Sequence, residues 1–359
     1  MNNIYVLDQD FNLQGIIDEY VSIIWRPSYS DIGDFEIYLG ATDKAINLLQ
    51  ENRYVVRSSN ISVDNGVATY KKVMVIKNIQ LITDVENGDF LTVTGRELKF
   101  LLHQRIVWKQ TNLTGTAENV IRQLVNENAI QPTDANRVIP NLVLGASVGL
   151  TDTITKQVTG EYLDKVVSEI CATYNYGWEI FISDNKLALI ICTGTDRSYD
   201  QTERPYVVFS DDFENLYNTD YQLSTEEYAN TTLIGGEGEG LERVYTTVNN
   251  GNSGLNRYET FTDARDISSN KGSEDEIDLE TYLKLLIERG RENLATLAYT
   301  EGFSGEVLSD VAFKYGEDFD IGDVVTVINK YGIQKNVRVL SAIESEDESG
   351  VKLLPQFNI

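Results

Sequence analysis

A chain of 359 residues, 42% hydrophobic and 24% charged, can bury a large core and has the composition of a globular protein of two or three domains, not a disordered one. Its 56 acidic against 30 basic residues leave a formal charge of −26, a surface that repels phosphate backbones and makes nucleic-acid recognition a poor reading. Two cysteines, Cys171 and Cys192, encode neither a disulfide framework nor a cysteine zinc site, the start MNNIYVLDQD has no basic or long apolar segment of an export signal, and no apolar run reaches the length of a membrane span.

From the N-terminus, NIYVL, LQGII, EYVSIIW and DFEIYL read as short strands separated by turns at Asp8-Gln9-Asp10 and SYSDIG. Thr42-Asp43 caps a short helix through Leu49, since Ala45, Ile46 and Leu49 recur at helical spacing. Strands resume at YVVRS and KKVMVIKNIQLITD, on either side of a polar tip at Asp64-Asn65-Gly66. Glu86-Asn87-Gly88-Asp89 then leads into FLTVTG, and Asn-Gly between alternating runs is a strong hairpin signal. The first hundred residues therefore predict an antiparallel barrel or sandwich.

The pattern changes from Thr116, where Ala117, Val120, Ile121, Leu124 and Val125 follow helical spacing. Leu163, Val166, Val167, Ile170 and Cys171 repeat it between Tyr162 and Tyr174. WEIFI and LALIIC around Ser183-Asp184-Asn185-Lys186 then predict a hairpin, giving an α+β insertion. A third amphipathic helix is expected from about Leu279 to Ala298, with Leu279, Tyr282, Leu283, Leu286, Leu294 and Leu297 on one side and Asp275, Glu276 and Asp278 before it, where negative charge suits the macrodipole. EVLSDVAFKY, VVTVINK and NVRVLSAI return to strands. The two acid-dense stretches, SEDEIDLE and ESEDES, read as solvated faces.

Few constellations suggest chemistry. TTLIGGEGEGLERVY resembles a phosphate-binding glycine loop, but LERVYTTV continues as a strand where a Rossmann or P-loop site needs a helix, and Glu237 and Glu239 stand where an anion would sit. Glycines that supply special backbone angles between two strands are the better reading. His103, the only histidine, lies among apolar neighbours as a core or interface residue. Asp318, Asp320 and Asp323 in GEDFDIGD offer carboxylates to calcium without the spacing of an EF-hand, and a hairpin turn is the simpler account. No pair of carboxylates is singled out for glycoside hydrolysis, and most of the 20 tyrosines and 3 tryptophans read as core, with sugar or protein contact as the other use.

Six segments in order carry a resemblance: DQDFNLQGIIDEYVSIIWRPSYSDIGDFEIYL; VTGRELKFLLHQRIV; GWEIFI with TGTDRS; NTTLIGGEGEGLERVY; LNRYETFTDARDI; and YGEDFDIGDVVTV. Together they resemble the tail-hub proteins of long-tailed siphophages and related prophages, whose fold is similar to the baseplate hub of contractile phages. The resemblance implies a β-rich α+β tail-hub fold: an N-terminal β-barrel-like domain (1–110), an α+β middle domain (111–212) and a second barrel-like domain (213–359) with a helix inserted near 279–298.

It also implies a homotrimer at the tail tip, presenting pseudo-sixfold symmetry to a tail tube or distal tail ring, with a tape-measure protein and tip or receptor-binding proteins as further partners. DNA passes only as cargo. The implied location is the virion tail tip, after synthesis in the host cytoplasm without a signal peptide. Larger relatives carry extra C-terminal domains; this chain ends after its last predicted strands, so host binding or wall degradation is expected from another chain, and neither catalysis nor a cofactor or metal is expected here. Gly236, Gly238, Gly240 and Arg243 match the family pattern as a turn, and Gly95, Arg96, Arg105, Gly322 and Asp323 match family motifs as turn or pairing positions. A glycan-binding or glycan-degrading tail-tip protein is the alternative.

Overall fold

The computed structural model describes residues 2–86, 88–249, 251, 253–307 and 313–358. The fold is β-rich α+β. Strands from both ends of the chain join one 13-stranded sheet, whose path runs Leu216–Ser224, Thr300–Val307, Gly350–Asn358, Gln334–Asp347, Ser22–Arg26, Asp34–Gly40, Gly88–Glu97, Met74–Asp84, Tyr54–Arg57, Ile4–Leu7, Leu13–Ile17. Val324–Ile328 branches off Gln334–Asp347 and pairs in parallel with Val208–Ser210. The two ends meet where Glu344 to Asp347 run antiparallel to Trp25 to Ser22.

ESEDES was expected as a solvated face; Asp347 and Glu348 are exposed, but Glu346 is buried and Glu344 nearly so, both paired with the fully buried Arg57 (2.7 Å to Glu344, 3.6 Å to Glu346). A guanidinium enters such a core only with carboxylates beside it, and these two come from the other end of the chain.

A hairpin leaves the main sheet at Ile61–Asp64 and Val67–Tyr70, turned by Asn65 and Gly66 at φ 49° and 82°, the left-handed pair a two-residue hairpin requires. It extends the middle sheet, Leu142–Leu144, Lys186–Cys192, Gly177–Ser183, through Gly177–Ser183. Asp184 and Asn185, at φ 50° and 55°, make the same kind of turn between WEIFI and LALIIC. The predicted hairpin after Asp84 forms between Met74–Asp84 and Gly88–Glu97, although Asn87 lies outside the described residues.

Helix α1 (Asp43–Leu48) is capped by the Thr42 hydroxyl, which accepts from Ala45 N at 3.1 Å; α2 (Ala117–Val125) is capped by Thr116 and passes into a π-helical turn, Asn126–Ile130. Helix α3 (Leu163–Thr173) packs with α2 over the middle sheet in the largest apolar core, fed also by Leu7, Val56, Val75 and Leu102. Helix α4 (Leu279–Thr296) is capped by Asp278, which accepts from Thr281 N at 2.9 Å, so one acid of SEDEIDLE closes a helix end. Its buried residues are Tyr282, Leu285, Leu286, Glu288, Gly290 and Glu292, whereas Leu279, expected on the inner side, is 62% exposed. Residues 308–312 of the predicted strand EVLSDVAFKY lie outside the described residues; the strand here is Thr300–Val307.

Candidate functional site

The loop between Ser22–Arg26 and Asp34–Gly40 touches all three parts of the chain through Tyr29. Its N–H donates to Leu340 O (2.7 Å) in the C-terminal strands, and its carbonyl accepts from Trp178 N (3.1 Å) in the middle sheet. Its hydroxyl donates to Asn175 O and Cys192 O at 3.3 and 3.2 Å. The ring fills space that two glycines leave open: a Cβ on Gly177 would stand 2.2 Å from it and one on Gly322 2.4 Å, and Gly322 also sits at φ 91°. Arg338 covers the ring at 5.3 Å and donates to Thr193 O and Gly322 O.

Below Tyr29, Lys99 donates to Ser28 O and Asp31 O at 2.5 and 2.7 Å, and Glu97 accepts from Gly33 N at 2.7 Å. Burial pushes the Glu97 carboxyl up against the pull of Lys99. Asp323 accepts from Thr195 N (2.8 Å) and Arg197 Nε (2.9 Å), while Asp320 pairs with Lys72 at 2.6 Å. Two of the GEDFDIGD acids are thus committed to cations of the other regions, and no group of three or more metal-ligating side chains occurs among the described residues. Burial also pushes the Cys192 thiol up to about 11, far from a nucleophile. His103 stacks between Phe100 and Tyr162 and places Nδ1 3.0 Å from Asp164.

The glycine run closes a different part of the molecule. Thr231–Gly235 is the centre of a three-stranded sheet with Tyr245–Asn249 and Glu259–Asp263. The Arg243 side chain folds back over the run, donating to Gly236 O (3.0 Å), Gly235 O (2.8 Å) and Asp263 (2.6 Å). A Cβ on Gly235 would lie 2.6 Å from that guanidinium, and one on Gly236 2.4 Å from the Tyr282 hydroxyl, which accepts from Glu237 N. Gly238 and Gly240 take φ 93° and 54°. Glu237 accepts from Ser269 N at 3.1 Å. The carbonyls face inward to arginine, so the run offers no anion cradle.

The other matched positions lie apart from these. A Cβ on Gly95 would fall 1.9 Å from Val75 O, a close approach next to the bulge between Ile76 and Asn78, and Arg96 stands exposed 3.8 Å from Asp34. Arg105 donates to Arg137 O at 2.5 Å and Val138 O at 3.3 Å. Tyr29, Gly177 and Arg338 were not singled out in the sequence: a tyrosine in a turn-rich loop carries no signal of partners more than a hundred residues away.

One feature is left without a partner. On the core face of the main sheet, cross-strand rows run Ile37, Val93, Ile79 and Leu39, Leu91, Leu81. The first two of each row are buried, but Ile79 is 42% and Leu81 50% exposed. Beyond Ile76 the strand Met74–Asp84 pairs only with Gly88–Glu97 among the described residues, so its outer edge is open. At the far end of the sheet Leu216–Ser224 pairs, among the described residues, only with Thr300–Val307, and it exposes Leu223.

This architecture is that of a phage-type tail protein. The chain is similar to the tail protein from Neisseria meningitidis MC58 (TM-score 0.60, 12% identity, 100% of this chain and 96% of that one) and to the prophage MuSo2 43 kDa tail protein from Shewanella oneidensis (0.59, 12%, 99% and 98%). It is also similar to the prophage tail protein gp18 from Listeria monocytogenes EGD-e (0.52, 12%, 99% and 94%). The family model of siphovirus ReqiPepy6 Gp37-like proteins matches residues 3–357, and the chain belongs to that family of phage tail proteins. A comparison with curated protein sequences gives no match.

Proposed function

We propose that the chain is a non-enzymatic structural hub at the tip of a phage or prophage tail. In this reading it is a homotrimer that links the tail tube or distal tail ring to the tip proteins and forms part of the DNA channel. The β-rich ends, 1–110 and 213–359, act as two barrel-like units that offer quasi-equivalent contacts to a sixfold ring. The observation that supports it is two open edges of the main sheet, the outer half of Met74–Asp84 and the terminal strand Leu216–Ser224, each with exposed apolar residues. An unpaired edge is a template for another strand, and joining two different edges head to tail generates a closed ring when the rotation allows. The −26 charge of each subunit, where it faces the channel, repels passing DNA.

Light scattering coupled to size exclusion tests the reading. A trimer has three times 40.4 kDa, about 121 kDa. Ile79→Lys with Leu81→Lys should return it to 40.4 kDa without changing the far-ultraviolet circular dichroism. A wild-type chain that stays monomeric at every concentration would sink the self-association, and a neutral or basic lumen in a trimer structure would remove the charge argument.

A further inference from the structure

Trp108 lies on the rim of a cleft of about 550 Å³ between the end of the π-helical turn Asn126–Ile130 and the strand Thr111–Thr116, and it is 63% exposed while Trp25 and Trp178 are buried. A large apolar ring left in water at a concave site is an expensive placement unless something covers it. The ring is also held. Its backbone N–H donates to Asn128 Oδ1 at 3.3 Å, and the Arg137 guanidinium sits 4.9 Å from its centroid, fixed by Ile106 O at 2.5 Å. Arg105 in turn holds the Arg137 carbonyl. Asn128 is buried and donates to Leu124 O at 3.0 Å, and it reaches this position because the helix widens into a π turn there, a distortion frequent at functional sites.

The Arg137 guanidinium that approaches the ring belongs to the lining of the same cleft, so the indole and its cation line it together. Around it stand carboxylates, Glu127 and Asp134, and donors, Lys109 and Gln131; the Gln131 amide and the Thr133 hydroxyl make no side-chain hydrogen bond among the described residues. A pre-held aromatic plane ringed by mixed donors and acceptors, with two acids balanced by two bases, matches a ligand with a flat C–H face and hydroxyls around its edge. The chain's −26 charge disfavours a polyanion over a neutral one. We propose that this cleft binds a neutral pyranose oligosaccharide, with Trp108 as the stacking platform; the inference does not depend on the trimer.

The test uses the full chain and acrylamide quenching of tryptophan fluorescence, which reads Trp108 because the other two indoles are buried. Probes are trisaccharides of glucose, galactose and N-acetylglucosamine, with a single-stranded DNA oligonucleotide and an extended peptide as other classes. A trisaccharide should protect Trp108 from quenching. By saturation-transfer NMR, Trp108→Ala should weaken its binding at least about tenfold, and Trp108→Phe should restore part of it, both with unchanged thermal midpoints. Protection by no trisaccharide up to about 10 mM, protection only by the DNA or peptide, or binding that Trp108→Ala leaves intact would each overturn the proposal.

Discussion

Helix α3 buries Leu163, Val166, Val167, Ile170 and Cys171 among apolar neighbours, while the buried side of α4 sets Glu288, Gly290 and Glu292 beside Tyr282, Leu285 and Leu286. Helix α4 has two fronts. Toward its own sheet, Gly290 lets Ile234 in, since a Cβ there would lie 2.5 Å away. Toward the middle region it is polar: Glu292 pairs with Lys156, Glu288 accepts from the Tyr174 hydroxyl at 2.8 Å, and nearby Gln157 exchanges two hydrogen bonds with the backbone of Ser268 (2.8 and 2.9 Å). Hydrocarbon packing tolerates small shifts, whereas these contacts work in one register only. The glycine-run module is thus docked on the middle region by directional bonds, and the middle region itself is built on apolar burial.

The largest effect expected from this difference comes from removing one partner of the polar dock. Lys156→Met leaves Glu292 buried beside Glu169 and Glu288 with Arg289 Nε, at 3.8 Å, in place of the close Lys156 ammonium, which should cost at most about 3–5 kcal/mol. Adding Glu292→Leu should recover most of it, because a well-packed apolar pair replaces a buried ion pair at little net cost. Urea unfolding of the two variants checks this. Equal losses in both would mean that the dock does not depend on the charge pair.

On the apolar side, Ile121→Ala empties space in a core from which water is excluded and should cost about 2–5 kcal/mol. No second substitution at a polar site should rescue it. Next in size is Gly236→Ala, whose new methyl meets the Tyr282 hydroxyl and Leu286; about 1–3 kcal/mol is expected. Gly240→Ala meets nothing within 4 Å and suffers only its left-handed φ, so it should lose less. The reverse order would mean that the run's backbone angles, and not the approach of α4, set its need for glycine.

The same contrast decides what could be read in advance. The apolar spacing of α2 and α3 and the turn residues Asn65-Gly66 and Asp184-Asn185 act locally, so the elements were legible within a residue or two. In α4 the periodicity misled, because Glu288 and Glu292, four residues apart, look like a solvated face until Tyr174 and Lys156 are brought against them. Likewise Glu344 and Glu346 read as surface acids because nothing near them in sequence announces Arg57. The glycine run was legible as a place of unusual backbone, but its reason, the return of Arg243 and the approach of Tyr282, needed the packing. Trp108 gave no signal, since only the path of residues 126–137 puts Asn128 and Arg137 beside it.

The last expected effect is a slope with pH. Burial pushes the Glu292 carboxyl up to about 7, helped by the charges of Glu169 and Glu288 and opposed by Lys156, and burial raises Glu288 as well. A carboxyl whose folded value lies above its ordinary 4.5 binds its proton more tightly in the folded chain. Its contribution to stability is therefore full below pH 4.5 and is lost as pH rises through about 7. Lys156 is raised by its carboxylate partners, so it stays charged throughout this window and cannot produce the slope. Glu292→Gln holds the neutral shape at every pH. The stability difference between wild type and this variant, measured by urea unfolding at intervals from pH 5 to pH 8, should move in the variant's favour as pH rises, with the change centred below 7. A difference that stays constant would mean that Glu292 is ionised across the whole range and that the dock is held by a fully formed ion pair. A difference that moves the other way would mean that the pull of Lys156 outweighs burial, and Lys156→Met would then be the more damaging for it.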